Sequence, residues 1–329
     1  MIHRHPRIAV AAMLLIPAIL AGCSETSPVE PASNNQQYFA QVVRGEDLDT
    51  RDLVTSDVDA LDESPAFLGK ALAFQKETFV SDTITPIAHG RKILRVTRSV
   101  LRPAAMQGDS IAVVGMETVI EGNFVIKAMT PSGSVTYRKP FTETLHRNLR
   151  FERRWDDDDE DDHKKFPQFS WRLTAASIIN GGTVPTGPEI LSIELITPRD
   201  TFLVTDPDAY FMAVKHPWKI KMPKLKDVPI TLRVTVAATG PDTAIVTLHH
   251  LESDKGLRKK ELALVSESSA GGQSVRIYEQ TWTSRIKAKK KYGHLVISAI
   301  PASAVRNSDP THYSSTIWGI PYLPVSSTP

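Results

Sequence analysis

Cys23 is the only cysteine in the 329-residue chain. One thiol excludes an intramolecular disulfide, a Cys-rich zinc module and iron–sulfur ligation. It can act as a soft nucleophile, and cleavage just before it would leave an α-amine beside the sulfur. The acids Asp156, Asp157, Asp158, Asp159, Glu160, Asp161 and Asp162 are contiguous. Asp156, Asp158 and Glu160 are the candidate ligands there for a hard cation such as Ca²⁺, which takes carboxylate oxygens. The run has no glycine to wrap it around an ion. Arg150, Arg153, Arg154, His163, Lys164 and Lys165 flank it, so its plainer reading is a solvated hairpin loop with no metal. A third set is Ser110, following Gly108-Asp109, with Asp309 and His312 near the other end of the chain. Serine, acid and imidazole are the groups needed for nucleophilic acyl transfer, if the fold brings them together. His249-His250 would point to opposite faces of a strand and so cannot chelate one ion. No H-E-x-x-H, Walker A or G-x-G-x-x-G pattern is present.

The elements that position these groups begin with a leader. Arg4 and Arg7 precede the apolar run Ile8 to Leu20. As a helix that run is about 20 Å long, short of the ~30 Å hydrocarbon core, so it reads as an export signal rather than a span. Without Arg4 and Arg7 the formal charge falls from +2 to zero, which argues against nucleic acid as a partner. Ser24 to Gln37 is polar and carries two prolines. It reads as a tether with an r.m.s. span of about 20 Å.

Two short helices are expected next, one through Tyr38, Phe39, Val42 and Val43, the other through Phe67, Leu68, Ala71, Leu72 and Phe79. From about residue 91 the period becomes two. Ile93, Arg95, Thr97 and Ser99 alternate with Leu94, Val96, Arg98 and Val100. Long strands follow to Trp155, with Gly115 or Gly122 as a bulge or bend, and Phe169 to Ala175 returns. Residues 190–196 and 201–204 read as strands. The Lys- and Pro-rich stretch 211–226 reads as a linker. Between 227 and 325, strands alternate with turns at Gly240, Gly256 and Gly271-Gly272. Lys215, Lys219, Lys221, Lys224 and Lys226, and also Arg285, Lys287, Lys289, Lys290 and Lys291, are basic clusters. They suit anionic headgroups or simply solvated edges.

Leu20-Ala21-Gly22-Cys23 resembles the lipobox of bacterial lipoproteins. The resemblance implies a signal peptide over 1–22, a diacylglycerol thioether on Cys23 and acylation of the new amine. It also implies a bilayer held through two or three chains at about 0.8 kcal/mol per buried CH₂. Ser24, where Asp would favour inner-membrane retention, points to the outer membrane of a Gram-negative envelope. Residues 91–180, with Trp171-Arg172-Leu173 on the last strand, resemble the sheet of nuclear-transport-factor-like cone domains, which enclose a binding or catalytic pocket. Residues 227–325 resemble an immunoglobulin-like sandwich. Gly108-Asp109-Ser110-Ile111 and Asp309-Pro310-Thr311-His312 resemble the nucleophile and Asp-x-x-His blocks of GDS-type esterases. Those blocks belong to a parallel α/β sheet, which this chain does not resemble.

The expected fold is therefore α+β, in five parts. These are a signal peptide (1–22), a lipidated tether (23–37), helices on a curved antiparallel sheet (38–210), a linker (211–226) and a β-sandwich (227–325). The expected function is an envelope lipoprotein that binds or scaffolds, with a small molecule, an envelope protein or a polymer as partner. It has no cofactor beyond the lipid on Cys23. A structural or interaction role and a GDS-type esterase using Ser110 and His312 are the alternatives.

Overall fold

The structure is a computed structural model that describes residues 34–63, 84–107, 110–130, 133–153, 171–214, 226–239, 242–252, 256–270, 273–285 and 292–323. Cys23 with the leader and tether, the 67–79 stripe, the acidic run 156–162 and most of both basic clusters lie outside them.

The first helix, α1 (Asn34–Arg44), buries Phe39, Val42 and Val43 as their spacing requires. A second, α2 (Arg51–Leu61), was not apparent in the sequence. Its buried face mixes Leu53, Val54, Val58 and Leu61 with Ser56 and Asp57, which hides the apolar period.

Three long strands follow: β1 (Thr85–Gln107), β2 (Ile111–Thr130) and β3 (Gly133–Arg153). β2 and β3 pair antiparallel in unbroken register. The bends expected at Gly115 and Gly122 lie on the opposite strand. β1 bulges between Ile93 and Arg95, beside Gly122, and on both sides of Arg102, which pairs with Gly115. The extra residue Leu94 reverses the side-chain alternation. His89, Arg91 and Ile93 share the inner face with Val96 and Arg98, while Leu94 is 62% exposed. A Cβ on Gly122 would lie 2.5 Å from the Lys92 carbonyl oxygen and 2.8 Å from the Phe141 ring, so the ring's seat depends on glycine.

The rest of the chain contributes β4 (Trp171–Ser177), β5 (Ile179–Gly182), β6 (Glu189–Ile196), β7 (Thr201–Val204), β8 (Phe211–Ala213), β9 (Lys226–Thr239), β10 (Ala244–Glu252), β11 (Gly256–Glu261), β12 (Ala263–Ala270), β13 (Gln273–Arg285), β14 (Gly293–Pro301), the short helix α3 (Ala302–Arg306) and β15 (Thr316–Tyr322). One ten-stranded antiparallel sheet runs β1-β2-β3-β5-β15-β14-β10-β11, with β4 attached at β3 and β8 at β4. A five-stranded sheet runs β12-β13-β9-β6-β7.

This corrects the expected division into domains 38–210 and 227–325 joined by a linker. Strands from both halves build both sheets, and residues 33–329 form one compact unit. A local pattern identifies a strand but not its neighbour, and β10, β14 and β15 are central strands shared by two cores. One of their faces, with Leu248, Leu295, Ile297 and Ile320, packs on Ile193, Leu195, Ile230, Leu232 and Val234 of the second sheet. The other face, with Ile245, Val296, Ile300 and Ile317, packs with Ile120, Phe124 and Leu145 and with Val58 and Leu61 of α2. Burial on both sides explains the near-continuous apolar reading of β14. Between the turns expected at Gly256 and Gly271 the chain does not form one strand but changes sheet at the buried Leu262, between β11 and β12.

The large sheet curls until its two edges approach. Lys259 of β11 donates from Nζ to the His89 carbonyl of β1 at 3.1 Å. Glu63, just past α2, inserts there and donates its backbone N–H to the Arg91 carbonyl at 3.0 Å. The result is a mainly β protein: a curled antiparallel sheet plugged by helices and backed by a second sheet.

Candidate functional site

The inner face of the curled sheet carries charge. Alternation on β3 directs Lys139, Glu143 and Arg147 inward among Phe141, Leu145 and Leu149. Pairing then sets their neighbours. Arg91 lies one strand beyond Phe124, the partner of Lys139, while Ser298 of β14 sits opposite Thr247 of β10, with His249 next along that face.

Arg91 is the hub. Its Nε donates to Glu143 Oε1 at 3.1 Å, Nη1 lies 3.7 Å from Glu63 Oε1, and Nη1 also reaches Ser298 Oγ at 3.4 Å. Glu63 accepts from Lys259 Nζ at 2.9 Å and faces His249 Nδ1 at 3.4 Å. His249 Nε2 meets Ser298 Oγ at 2.8 Å. Burial opposes the charge of Arg91, and Glu143, Tyr313 and Glu63 overcome it, so its pKa is raised. Burial, reinforced by neighbouring cations, keeps His89 and His249 well below the usual histidine range. The centre therefore holds two cations, Arg91 and Lys259, against two carboxylates, Glu63 and Glu143. His249 and His250 occupy opposite faces of β10, both buried, with the His250 ring 6.2 Å from Trp282.

A second group ties α2 to the wall. Arg147 Nη1 donates to the Leu53 carbonyl at 2.5 Å, and Arg98 Nε donates to the Val54 carbonyl at 3.1 Å. Arg147 Nη2 meets His294 Nε2 at 2.6 Å. Guanidinium only donates, so Nε2 accepts and Nδ1 carries the proton toward Ser56 Oγ, 2.6 Å away. Burial pushes the Asp57 carboxyl up, opposed by Arg147 and Arg98, and pulls Arg147 down to about 10.

The same interior fixes the loop after α3. Lys139 Nζ donates to the carbonyls of Ala304 and His312, both at 2.9 Å, and burial lowers its pKa to about 8. Glu143 Oε1 accepts from Tyr313 Oη at 2.9 Å and Ser315 Oγ at 2.7 Å. Outside this clamp lies a cavity of about 460 Å³ at the seam of the two sheets. Glu189 at the start of β6, Gln273 of β13, Asp242 and Thr243 before β10, Ser303 of α3 and Ser314 contribute to its lining.

The structure separates two of the three residues considered for nucleophilic chemistry. Ser110 sits at the β1–β2 turn, where its carbonyl accepts from Arg153 N at 2.8 Å. His312 is held by Lys139, whose pairing partner is Phe124. Ile111 and Phe124 are roughly 40 Å apart along β2 at a normal strand rise. His312 Nε2 instead meets Ser303 Oγ at 2.9 Å. That serine gives its proton to Asp242 Oδ2 at 2.5 Å, and its backbone N–H reaches the same oxygen at 3.2 Å. Asp309 is occupied with the N–H and hydroxyl of Thr311, both at 2.8 Å. The acid thus orients the serine rather than the imidazole, which is the geometry of a tied loop and not of a Ser–His–Asp relay.

Among the described residues, no group of three His, Cys, Asp or Glu side chains could hold a metal ion, and no helix is long and apolar enough to cross a membrane. Sequence reasoning missed the interior charges because charged residues on an alternating strand read as outward-facing. Their number on β3, three on one face, was the available signal. No family model, curated protein or solved structure compared with the chain matches it.

Proposed function

We propose that this chain is a lipid-anchored protein of the bacterial envelope that binds a small polar molecule in the cavity between its two sheets. The anchor is read from Leu20-Ala21-Gly22-Cys23 and the polar stretch behind it. Outer-membrane placement follows from Ser24. The observation that carries the binding role is the cavity itself, with hydrogen bonds in and beside its lining. Thr183 Oγ1 accepts from Ser315 N at 2.9 Å, and Asp242 holds Ser303 at the opposite side. A preformed site loses little ordering entropy on binding.

The curled sheet with helices in its concavity is in keeping with the cone-domain resemblance of residues 91–180. Its interior is occupied by paired charges and packed side chains, so the ligand site falls at the seam instead. A scaffolding role, with an envelope protein or polymer as partner, draws on one feature. The edge strand β12 leaves Leu264 46% and Val265 56% exposed, and among the described residues β13 is its one neighbour in the sheet.

The anchor is tested with an alkyne analogue of palmitate in cells expressing the wild type or Cys23→Ala. Labelling and membrane retention are expected to disappear in the variant, and undiminished labelling would remove the anchor from this reading.

A further inference from the structure

We propose that the seam cavity selects a small organic cation carrying hydroxyl groups, of which a protonated amino sugar is the simplest case. This rests on the binding role proposed above and specifies its ligand. About 460 Å³ lies within the ~300–1,000 Å³ of small-molecule sites. The lining holds two carboxylates, Glu189 and Asp242, and no Lys or Arg.

Arg276 and Lys139, on strands beside the cavity, are directed elsewhere. Arg276, with a side chain 4% exposed, pairs with Glu267 at 2.9 Å and gives Nη1 to the Asp242 backbone carbonyl at 2.6 Å. Lys139 Nζ is directed at the Ala304 and His312 carbonyls. An anion entering here would meet two carboxylates without a facing counter-charge, whereas an ammonium group would form a charge-assisted hydrogen bond. Glu189 is exposed at the mouth, and the Asp242 bonds to Ser303 both fall on Oδ2. The side chains of Thr186, Thr243, Ser314 and Gln273 add hydrogen-bonding groups suited to ligand hydroxyls. The lining has no aromatic ring, so recognition relies on charge and hydrogen bonds rather than stacking.

The test is calorimetric titration of the full chain in detergent micelles with glucosamine hydrochloride, glucose and sodium glucuronate, each at millimolar concentration. Glucosamine is expected to bind, glucose at least tenfold more weakly, and glucuronate not at all. Glu189→Gln, on the exposed rim, should weaken glucosamine binding about tenfold, the loss of one charge-assisted bond, with unchanged melting temperature. Equal affinity for glucose and glucosamine, or no effect of Glu189→Gln, overturns the cation selectivity and leaves the binding role standing. Binding of glucuronate alone does the same. No binding of any of the three overturns both.

Discussion

Two arginines in this molecule each sit between two glutamates, in opposite environments. Arg233 of β9 reaches Glu194 on one neighbouring strand at 2.8 Å and Glu279 on the other at 2.9 Å. Arg91 reaches Glu143 at 3.1 Å and Glu63 at 3.7 Å. By distance alone the first set is the better one. By consequence the order reverses, because the Arg233 side chain is 41% exposed while Arg91, Glu63 and Glu143 are each at most 2% exposed. At the surface water competes for every partner and salt screens the charge. Inside the curled sheet nothing replaces a lost partner, so each charge depends on the others. Geometry ranks contacts only within one environment.

The largest effect is therefore expected from Glu143→Ala. It leaves the Arg91 guanidinium buried without its closest carboxylate and frees Tyr313 and Ser315 from the same oxygen. A loss of about 3–5 kcal/mol is expected, read by urea denaturation. Replacing Arg91 and Glu143 together by Met and Leu should recover much of it, because apolar pairs of similar volume remove the orphaned charge. If Glu143→Ala costs no more than a surface pair, the contrast between the two arginines collapses.

The opposite face of the same strands provides a scale. Leu248 of β10 is fully buried against the second sheet, next to His249, which faces the charges. Leu248→Ala is expected to cost about 2–5 kcal/mol, through lost burial and the cavity left behind. The cost should not vary with pH, since no charge is involved. A pH-dependent cost would mean that the two cores are coupled through β10.

The charged side responds to acid. His89 and His249 have pKa values held below 6.5 in the fold, while the unfolded chain titrates near that value. A depressed folded pKa means the unfolded state takes up protons first. Their contribution is present above pH 6.5 and is lost as pH falls below it, by up to about 1.4 kcal/mol per pH unit for each histidine. The groups facing His249 are Glu63, Arg91, Lys259, His89 and Ser298, with His250 on its own strand. Asp57 acts the other way: its raised pKa favours the fold at low pH and loses that benefit as pH rises from 3.8. Denaturation between pH 7 and 5, a full unit below the value of about 8 for Lys139, in an Asp57→Asn background reads chiefly the histidines. A flat profile there would show that neither is buried as a neutral ring.

The difference between the two arginines was half legible in the sequence. Ile230, Leu232, Val234 and Val236 alternate cleanly, so Arg233 had to face outward, and it does. The same rule failed on β1, where the bulge at Leu94 moved Val96 and Arg98 onto the face of Arg91. On β3 alternation does place Glu143 on the face of Phe141 and Leu145, but a charge on that face gives no sign that it is buried. Its partners are 52 and 172 residues away, at Arg91 and Ser315, and no local pattern encodes them. The cavity was illegible for the same reason, since Glu189, Asp242, Gln273 and Ser303 meet only once the chain has divided itself between two sheets. Most strand boundaries and the opposite facing of His249 and His250 were local properties and could be read.

The smallest effect belongs to Glu279→Ala. It removes the Arg233 Nε and Nη2 bonds at 3.1 and 2.9 Å but leaves the Glu194 bond in place. A partly exposed arginine that keeps one carboxylate and gains water should lose about 0–1 kcal/mol. That loss should shrink further at molar salt, where the Debye length is about 3 Å. The loss in Glu143→Ala should change little over the same range, because counter-ions do not enter the sheet. Measuring both variants at low and high salt turns the comparison into a single experiment. If the two losses fall in parallel as salt is added, solvent reaches Arg91, and the interior of the curled sheet is wetter than its burial implies.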